Sequence, residues 1–511
     1  MKRTATALTL VFVFLAAANV LAILPVKAEP RTITVPSDYS TVFEAVENAR
    51  DSDTIIVKRG TFEGPTNQTL IISKTISIIG ENPQTTKLVL HPEWITQMIF
   101  ATQLSYYANP IKIEANNVRI SGLTITSDGG EISAAGNETK ITGNILRAST
   151  SLRGSFQLFA QNTLIGSDVT CRGTNASISE NVVLNGMIGS DSGWNDKIFS
   201  NNVTGSVAIG GTSTGELVYG NIVRNGGNEY WAGISIASIG ASVINNTVDN
   251  CSRGMSMDWG SDNTARGNFL TNNRLSGLKV TDGDNFVFEE NYVSSNPVGV
   301  QTQAAFALSH NNFVNNDLQV EVLDDKMYFW HMDNGEEGNF WSNYRGTDAD
   351  GDGIGDTPFN IFQNCSDRYP LMSPVKIDQS PIDLTRPIVD VQSFEKTIYT
   401  NTVNLAFIVS EPTSWIGYCL DGKENITISG NFTLIGLPNG LHNLTVYAND
   451  TYGNMGASET VSFTVAAPEP FPIVPVAAVV TVVILTAVLL PLILRKRHNS
   501  VHAAEHKLKT T

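Results

Sequence analysis

The sequence predicts an all-β protein: a solenoid of short parallel strands, then a small antiparallel β-sandwich, then one C-terminal transmembrane helix. Three observations predict it. They are an internal repeat of about 20 residues, a change of texture after Pro387, and an uncharged apolar run from Pro472 to Leu494.

The repeat is clearest in "GISIASIGASVINNTV", "GMSMDWGSDNTARGNFL", "GLKVTDGDNFVFEENYV" and "GVQTQAAFALSHNNFV". Gly233, Gly254, Gly277 and Gly299 each open an alternating strand. Asn246, Asn268, Asn291 and Asn312 each sit just before a hydrophobic pair or triplet. The glycines step by 21, 23 and 22 residues and the asparagines by 22, 23 and 21, so two markers share one period. Weaker copies place Asn144, Asn162, Asn181, Asn202 and Asn221 in the same slot. Short strands at this period, without a helical pattern or a leucine-dense consensus, predict a β-solenoid. Successive coils lie about 4.8 Å apart, so a dozen build a rod of roughly 60 Å. Equivalent asparagines then fall in register and hydrogen-bond along the stack, satisfying turn backbone that would otherwise be buried unpaired. Ile234 and Ile236, Met255 and Met257, and Leu278 and Val280 alternate toward one side and fill the lumen.

Upstream, "DTIIVKRGTF" and "TLIISKTISIIGEN" read as the opening coils. "DYSTVFEAVENARDSD" before them is an amphipathic helix that caps the solenoid's apolar end, protecting strand edges that would otherwise pair with other chains. From Pro387, short strands with turn signals at Asp421-Gly422 and Asn439-Gly440 predict the sandwich. The domain plan is a signal peptide (1–28), the solenoid (29–373), a linker (374–386), the sandwich (387–466), a spacer (467–471), the membrane helix (472–494) and a basic tail (495–511).

The signal peptide rests on the MKR start, the apolar "ALTLVFVFLAAANVLAIL" and the small-residue pattern Val26-Lys27-Ala28. The apolar run after Pro472 is long enough to cross a hydrocarbon core of about 30 Å. Arg495, Lys496 and Arg497 behind it stay cytoplasmic, which places the rest outside a plasma membrane as a single-pass protein. Formal net charge is −16; removing +3 for the signal and +4 for the tail leaves −23 on the exterior part. Such an exterior repels phosphate backbones, excluding nucleic acid as a partner, and attracts cations. Cys171, Cys251, Cys365 and Cys419 lack metal-site spacing; they are available to pair outside the cell, with connectivity open. Eleven N-x-S/T sequons mark the chain as a glycoprotein candidate.

The opening "TITVPSDYSTVFEAVENARDSDTIIVKRGTF", the "TISIIGENPQTTKLVL" after it, and the closing "GNFWSNYRGTDADGDGIGDTPFNI" with "DRYPLM" resemble right-handed parallel β-helix proteins of the NosD and pectin-lyase-like group, especially archaeal surface versions. The resemblance covers about residues 31–373. It implies a right-handed parallel β-helix and a carbohydrate-related or surface role, while the fold itself hosts lyases, hydrolases, epimerases, adhesins and spacers. The C-terminal sandwich looks like the immunoglobulin-like modules that follow such β-helices.

Three candidate sites emerge. In "GTDADGDGIGDTPF", Asp348, Asp350 and Asp352 alternate, Gly353 permits a sharp turn, Ile354 offers a carbonyl and Asp356 follows. This matches the first nine positions of an EF-hand-type loop, but Phe359 stands where the bidentate Glu belongs. The expectation is structural calcium, completed to six to eight ligands by backbone and water; the competing reading is a solvated acidic turn. Asp258, Asp262, Asp282 and Asp284 follow the strands of two adjacent coils, with Trp259 as a sugar-stacking platform. Paired carboxylates there suit glycoside hydrolysis, or calcium beside a uronate in a lyase with Arg253, Arg274 or Lys279 as the base; ordinary turn chemistry explains the same residues. Third, the NosD likeness and "KMYFWHMD" raise copper, with Met327, His331 and Met332, joined by His310. The expected work is structural or adhesive, binding envelope glycans or other surface proteins. A polysaccharide lyase or hydrolase is the alternative, and copper handling a remote one.

Overall fold

The computed structural model describes residues 29–99, 102–205, 209–323, 335–362, 365–379, 386–392, 396–451 and 454–466. The signal and membrane segments expected from the sequence lie outside them. Among the described residues no helix is long and apolar enough to cross a membrane. The chain divides into two compact units, one ending at Gln379 and one beginning at Ser380.

The first unit is a parallel β-solenoid. Each coil lays down three short strands, such as Ser177–Ser179, Val182–Leu184 and Ile188–Ser190, followed one coil later by Lys197–Phe199, Asn202–Thr204 and Ile209–Gly211. Strands pair in parallel with their equivalents: Ile178 with Ile198, Val183 with Val203, Ile188 with Ile209. The first sheet holds 13 strands, which sets the coil number at about 13. The second and third sheets share two long strands, Thr124–Ala134 and Ile145–Leu152. With only three residues per strand, one face of each must be apolar. The central residues Ile178, Ile198, Val218 and Val243 are buried, as are Ile234, Ile236, Met255, Met257, Leu278 and Val280. Each such side chain is worth about 1.5–3 kcal/mol of burial.

The corner between the first and second sheets carries the asparagine ladder. Asn246 Oδ1 accepts from the backbone N–H and the amide of Asn221. Asn246 in turn donates to Asn268 Oδ1, and Asn268 to Asn291 Oδ1, at 2.9–3.0 Å. Upward from Asn144 the column runs through Asn162, Asn181, Asn201, Asn221, Asn246, Asn268 and Asn291 to Asn311 and Asn339. Two positions differ from the sequence reading: the ladder takes Asn311, not Asn312, and Asn201, not Asn202. In "SHNN" the residue held at positive φ is His310 (55°), so the next residue, Asn311, turns inward; in "INNT" it is Asn245 (53°), and Asn246 turns inward. Asn312 points out of the coil and bonds the backbone of Val375 in both directions at 2.7 Å.

That contact is part of a strap. Residues 374–379, read from sequence as linker, run back over the second sheet until Gln379 reaches the carbonyl of Gly267. A shorter ladder, Asn273, Asn296 and Asn316, lines the corner between the second and third sheets. Cys251 occupies its next place, its sulfur accepting from the N–H of Gly226. Cys251 and Cys171 are buried free thiols.

Both ends of the rod are closed. At the start, helix Val42–Asn48 is N-capped by Thr41, whose Oγ1 accepts from Glu44 N–H, while the Glu44 carboxylate takes the N–H and hydroxyl of Ser40. Val42, Ala45 and Val46 plug the lumen. At the other end Phe313, Trp341 and Phe359 stack with centroids 4.5 and 4.8 Å apart. Asp367 terminates the ladder, accepting from Asn339 N–H at 2.7 Å, Trp341 Nε1 at 2.8 Å and Tyr369 N–H at 3.1 Å. A Cβ on Gly338 would lie 1.9 Å from the Asp367 carboxylate. The closing "GNFW" and "DRYP" are therefore one lock.

The second unit is built of short, mainly antiparallel strands, with Thr413–Leu420, Gly440–Asp450 and Val461–Val465 central. Leu405, Phe407, Leu444, Val446 and Phe463 form its core. Beneath one turn, buried His442 faces the Pro438 carbonyl and Asp421 through its two ring nitrogens. The carbonyl first, then Asp421 against the opposing cost of burial, raises its pKa.

Candidate functional site

The third sheet and its two corners carry several exposed aromatic residues, among them Trp194, Tyr230, Trp231 and Trp259. Positions between the inward residues of this sheet are small: Thr170, Gly189, Gly210, Ser235 and Ser256 stack in register, with Thr170 and Gly210 half-exposed and Gly189, Ser235 and Ser256 buried. A Cβ on Gly210 would meet nothing within 4 Å, so this part of the face is open. On the corner toward the first sheet, one column reads Thr174, Trp194, Thr214 through isolated parallel bridges, and Ile239 continues it by accepting from Gly215 N–H. Trp194 is 60% exposed and Trp259, on a later coil of the same corner, is 77% exposed. Three coil steps separate them, about 14 Å along the rod. Across the sheet, the loop before Ile234 presents Tyr230 and Trp231, both exposed. It is fixed by Asn228, whose Oδ1 takes both of their N–H groups, and by Ser252, whose hydroxyl donates to the Trp231 carbonyl. The arrangement leaves a small open patch at Gly210 with exposed indoles on the corners to either side, which suits a ligand with alternating apolar faces and hydroxyl edges.

The four aspartates lie at the Trp259 corner but form no acid–base pair. The coils register Gly260 on Gly283 and Ser261 on Asp284. Each carboxylate therefore stacks on a neutral neighbour. Asp258 accepts the Thr281 hydroxyl, and Asp262 accepts the Asn285 amide at 3.0 Å. Asp282 turns back onto the N–H of Gly283. Arg253 and Arg274 are tied to the carbonyls of Glu229 and Asn250 at the opposite corner. The five residues of Arg253–Met257 separate Arg253 from Asp258 by about 16 Å. Lys279 alone stands on the sheet between.

In the acidic loop, Asp348, Asp350 and Asp352 bring one carboxylate oxygen each within 4.8 Å of the others. Gly351 and Gly353 hold positive φ, and Asp348 accepts both of their N–H groups. Asp356 does not join the trio: it accepts from Thr347 and from Ala349 N–H, closing the loop's neck. Ile354 bridges Leu371, clipping the loop to the end of the rod. Of the copper candidates, His310 faces Glu337 at 2.5 Å, while Met327, His331 and Met332 lie outside the described residues.

Sequence reasoning missed the interior of the third corner. Asp196 and Glu216 point into the lumen on successive coils beneath Trp194. Asp196 accepts from Ala176 N–H, Ser190 and Ser213; burial raises it against those donors. Burial pushes Glu216 up to about 7.

Residues 217–346 match the family model described as NosD, periplasmic copper-binding protein. The described residues of this match lie within the parallel β-helix. Halomucin of Haloquadratum walsbyi is 38% identical over 95 residues, 17% of this chain and 1% of halomucin, so the chain spans about one hundredth of that relative. Among solved structures, the A-module of Azotobacter vinelandii mannuronan C-5 epimerase AlgE6 has 12% identity over 59% of this chain and 92% of its own, with a TM-score of 0.44. The catalytic domain of a GH87 alpha-1,3-glucanase has 12% identity over 62% and 70%, with 0.42. The Dettilon tailspike has 11% identity over 83% and 91%, with 0.39. Likeness at this level says nothing about chemistry.

Proposed function

We propose that this NosD-like β-helix is a glycan-binding protein of the cell envelope, exported, anchored by residues 472–494, and without catalytic activity. The observation that carries the reading is the open patch at Gly210 flanked by Trp194 and Trp259 on one corner and Trp231 on the other. Indole faces stack on sugar rings, and carboxylates along the corner accept sugar hydroxyls while repelling polyanions. Neutral or amino-sugar polymers fit that charge. Incubation with neutral, amino and uronate polysaccharides, followed for new reducing or unsaturated ends, is expected to yield none. Ends produced by the wild type and abolished in Asp258→Ala or Asp284→Ala would establish the enzyme instead.

The loop of Asp348, Asp350 and Asp352 serves the same role as a structural calcium clamp. Its trio supplies the charge, and water and backbone complete the shell. Calcium at about one hundred times its Kd adds about 2.7 kcal/mol to the folded state. The melting temperature of the first unit should rise by several degrees on calcium addition, and the rise should shrink sharply in Asp350→Ala; an undiminished rise would leave the loop a solvated turn. Of the copper candidates only His310 is described, and its Nε2 faces the Glu337 carboxylate.

A further inference from the structure

The lumen of a β-helix is ordinarily apolar, and a buried carboxylate there demands a partner. Glu216 has no cationic one. It is 1% exposed, and neither carboxylate oxygen completes a hydrogen bond of ordinary geometry among the described residues, although the Ser238 and Ser190 hydroxyls and the Ser213 backbone face it. Room has been made for it: a Cβ on Gly211 would lie 1.7 Å from Glu216 Oε1, so the carboxylate rests against a bare Cα. The next coil up contributes Ser238, 1% exposed, whose hydroxyl likewise completes no hydrogen bond of ordinary geometry. From the coil below comes Asp196, with Ser190 and Ser213 both donating to its Oδ2. The two hydroxyls also contact each other.

We infer that this interior pocket binds a hard cation, held by the carboxylates of Asp196 and Glu216 and the hydroxyls of Ser190, Ser213 and Ser238. The proposed ligands are all oxygens, with two negative charges, and number about the six that calcium requires; the buried Cys171 thiol also faces Asp196 and stays protonated because burial raises it. A proton on Glu216, donated to the Ser238 hydroxyl, is the competing occupant, and the test below separates the two. A cation takes up both oxygens of Glu216 and the idle hydroxyl of Ser238 together. Since the coils enclose it completely, the ion enters as the chain winds and leaves slowly afterwards. Its position behind the Trp194 corner makes it a rigid backing for the ligand face, though the inference is independent of what that face binds.

The test uses full-length chain carrying Asp350→Ala, so that the surface loop does not contribute, produced with calcium and dialysed against calcium-free buffer. Metal analysis should find one calcium ion per chain. Adding Glu216→Gln, which keeps shape and removes charge, should reduce it to none. Should Glu216→Gln fail to fold, Ser238→Ala, which deletes one hydroxyl, is expected to release calcium to a chelator at least tenfold faster than the parent. Equal metal content with and without Glu216→Gln, or unchanged release in Ser238→Ala, overturns the site. So does a metal-free parent whose melting temperature falls as pH rises through about 7, which would show Glu216 holding a proton instead.

Discussion

Asn268→Ala is expected to cost about 4 kcal/mol or more and to unfold the middle of the rod first. The side chain accepts from the N–H and the amide of Asn246, and donates to the carbonyls of Val243 and Arg266. Truncation strands these groups in a corner that water does not reach, at about 1–3 kcal/mol for each fully buried one. The neighbouring coils are locked in register by strands on three sides, so they cannot collapse onto the gap. Asn312→Ala is the matched control. It loses only the pair of bonds to the Val375 backbone and should cost about 1 kcal/mol. Urea unfolding of the two variants should separate them by well over 2 kcal/mol; equal losses would contradict the ladder as the main support of the stack.

Asp367→Ala is expected to open the C-terminal end of the rod at a cost of about 3–5 kcal/mol. Its carboxylate is the last acceptor of the ladder and receives Asn339, Trp341 and Tyr369, each a charge-assisted bond worth about 1.5–3 kcal/mol. Removal leaves the Trp341 indole N–H buried without an acceptor and frees the aromatic stack of Phe313, Trp341 and Phe359. Limited proteolysis should cut within residues 335–373 in the variant and spare them in the wild type, with a red-shifted Trp341 emission. Asp367→Asn keeps the shape and part of the acceptor set, and should fall between the two. Wild-type resistance in Asp367→Ala would show that the aromatic stack closes the end unaided.

Much of this architecture was legible in the sequence because a solenoid writes its geometry as a period. Gly233, Gly254 and Gly277 mark strands, and the inward alternation of Met255 and Met257 follows from a strand repeat of two. The asparagine column was legible from Asn144 to Asn291 apart from Asn201, while its continuation through Asn311 and Asn339 was not. At "SNNV" and "SHNN" the period alone leaves a choice of one residue. The distance to the inward residue settles it: Asn201 and Asn311 each stand two before the buried Val203 and Phe313, as Asn246 stands two before Val248. The candidate face was legible only in part. Trp259 was visible beside its aspartates, but Trp194 and Trp231 belong to coils whose repeats are weak, and only the stacking brings them to one sheet. The buried Asp196 and Glu216 carried no signal at all, since in a linear reading an acidic residue beside a turn is a solvated one. The acidic loop was legible as a motif, yet Asp356 is spent on Thr347 and Ala349, a contact that depends on where the neck of the loop closes.

Affinity electrophoresis against immobilised neutral, amino and uronate polysaccharides tests the proposed ligand face most directly. Retardation of the wild type by a neutral or amino-sugar polymer is expected. Trp194→Ala and Trp259→Ala should each weaken it about tenfold, equivalent to about 1.4 kcal/mol, while Trp94→Ala, on a separate hairpin spanning Trp94–Tyr107, should leave it unchanged. Failure of every polymer to retard the wild type, or retardation indifferent to Trp194 and Trp259, would contradict the account.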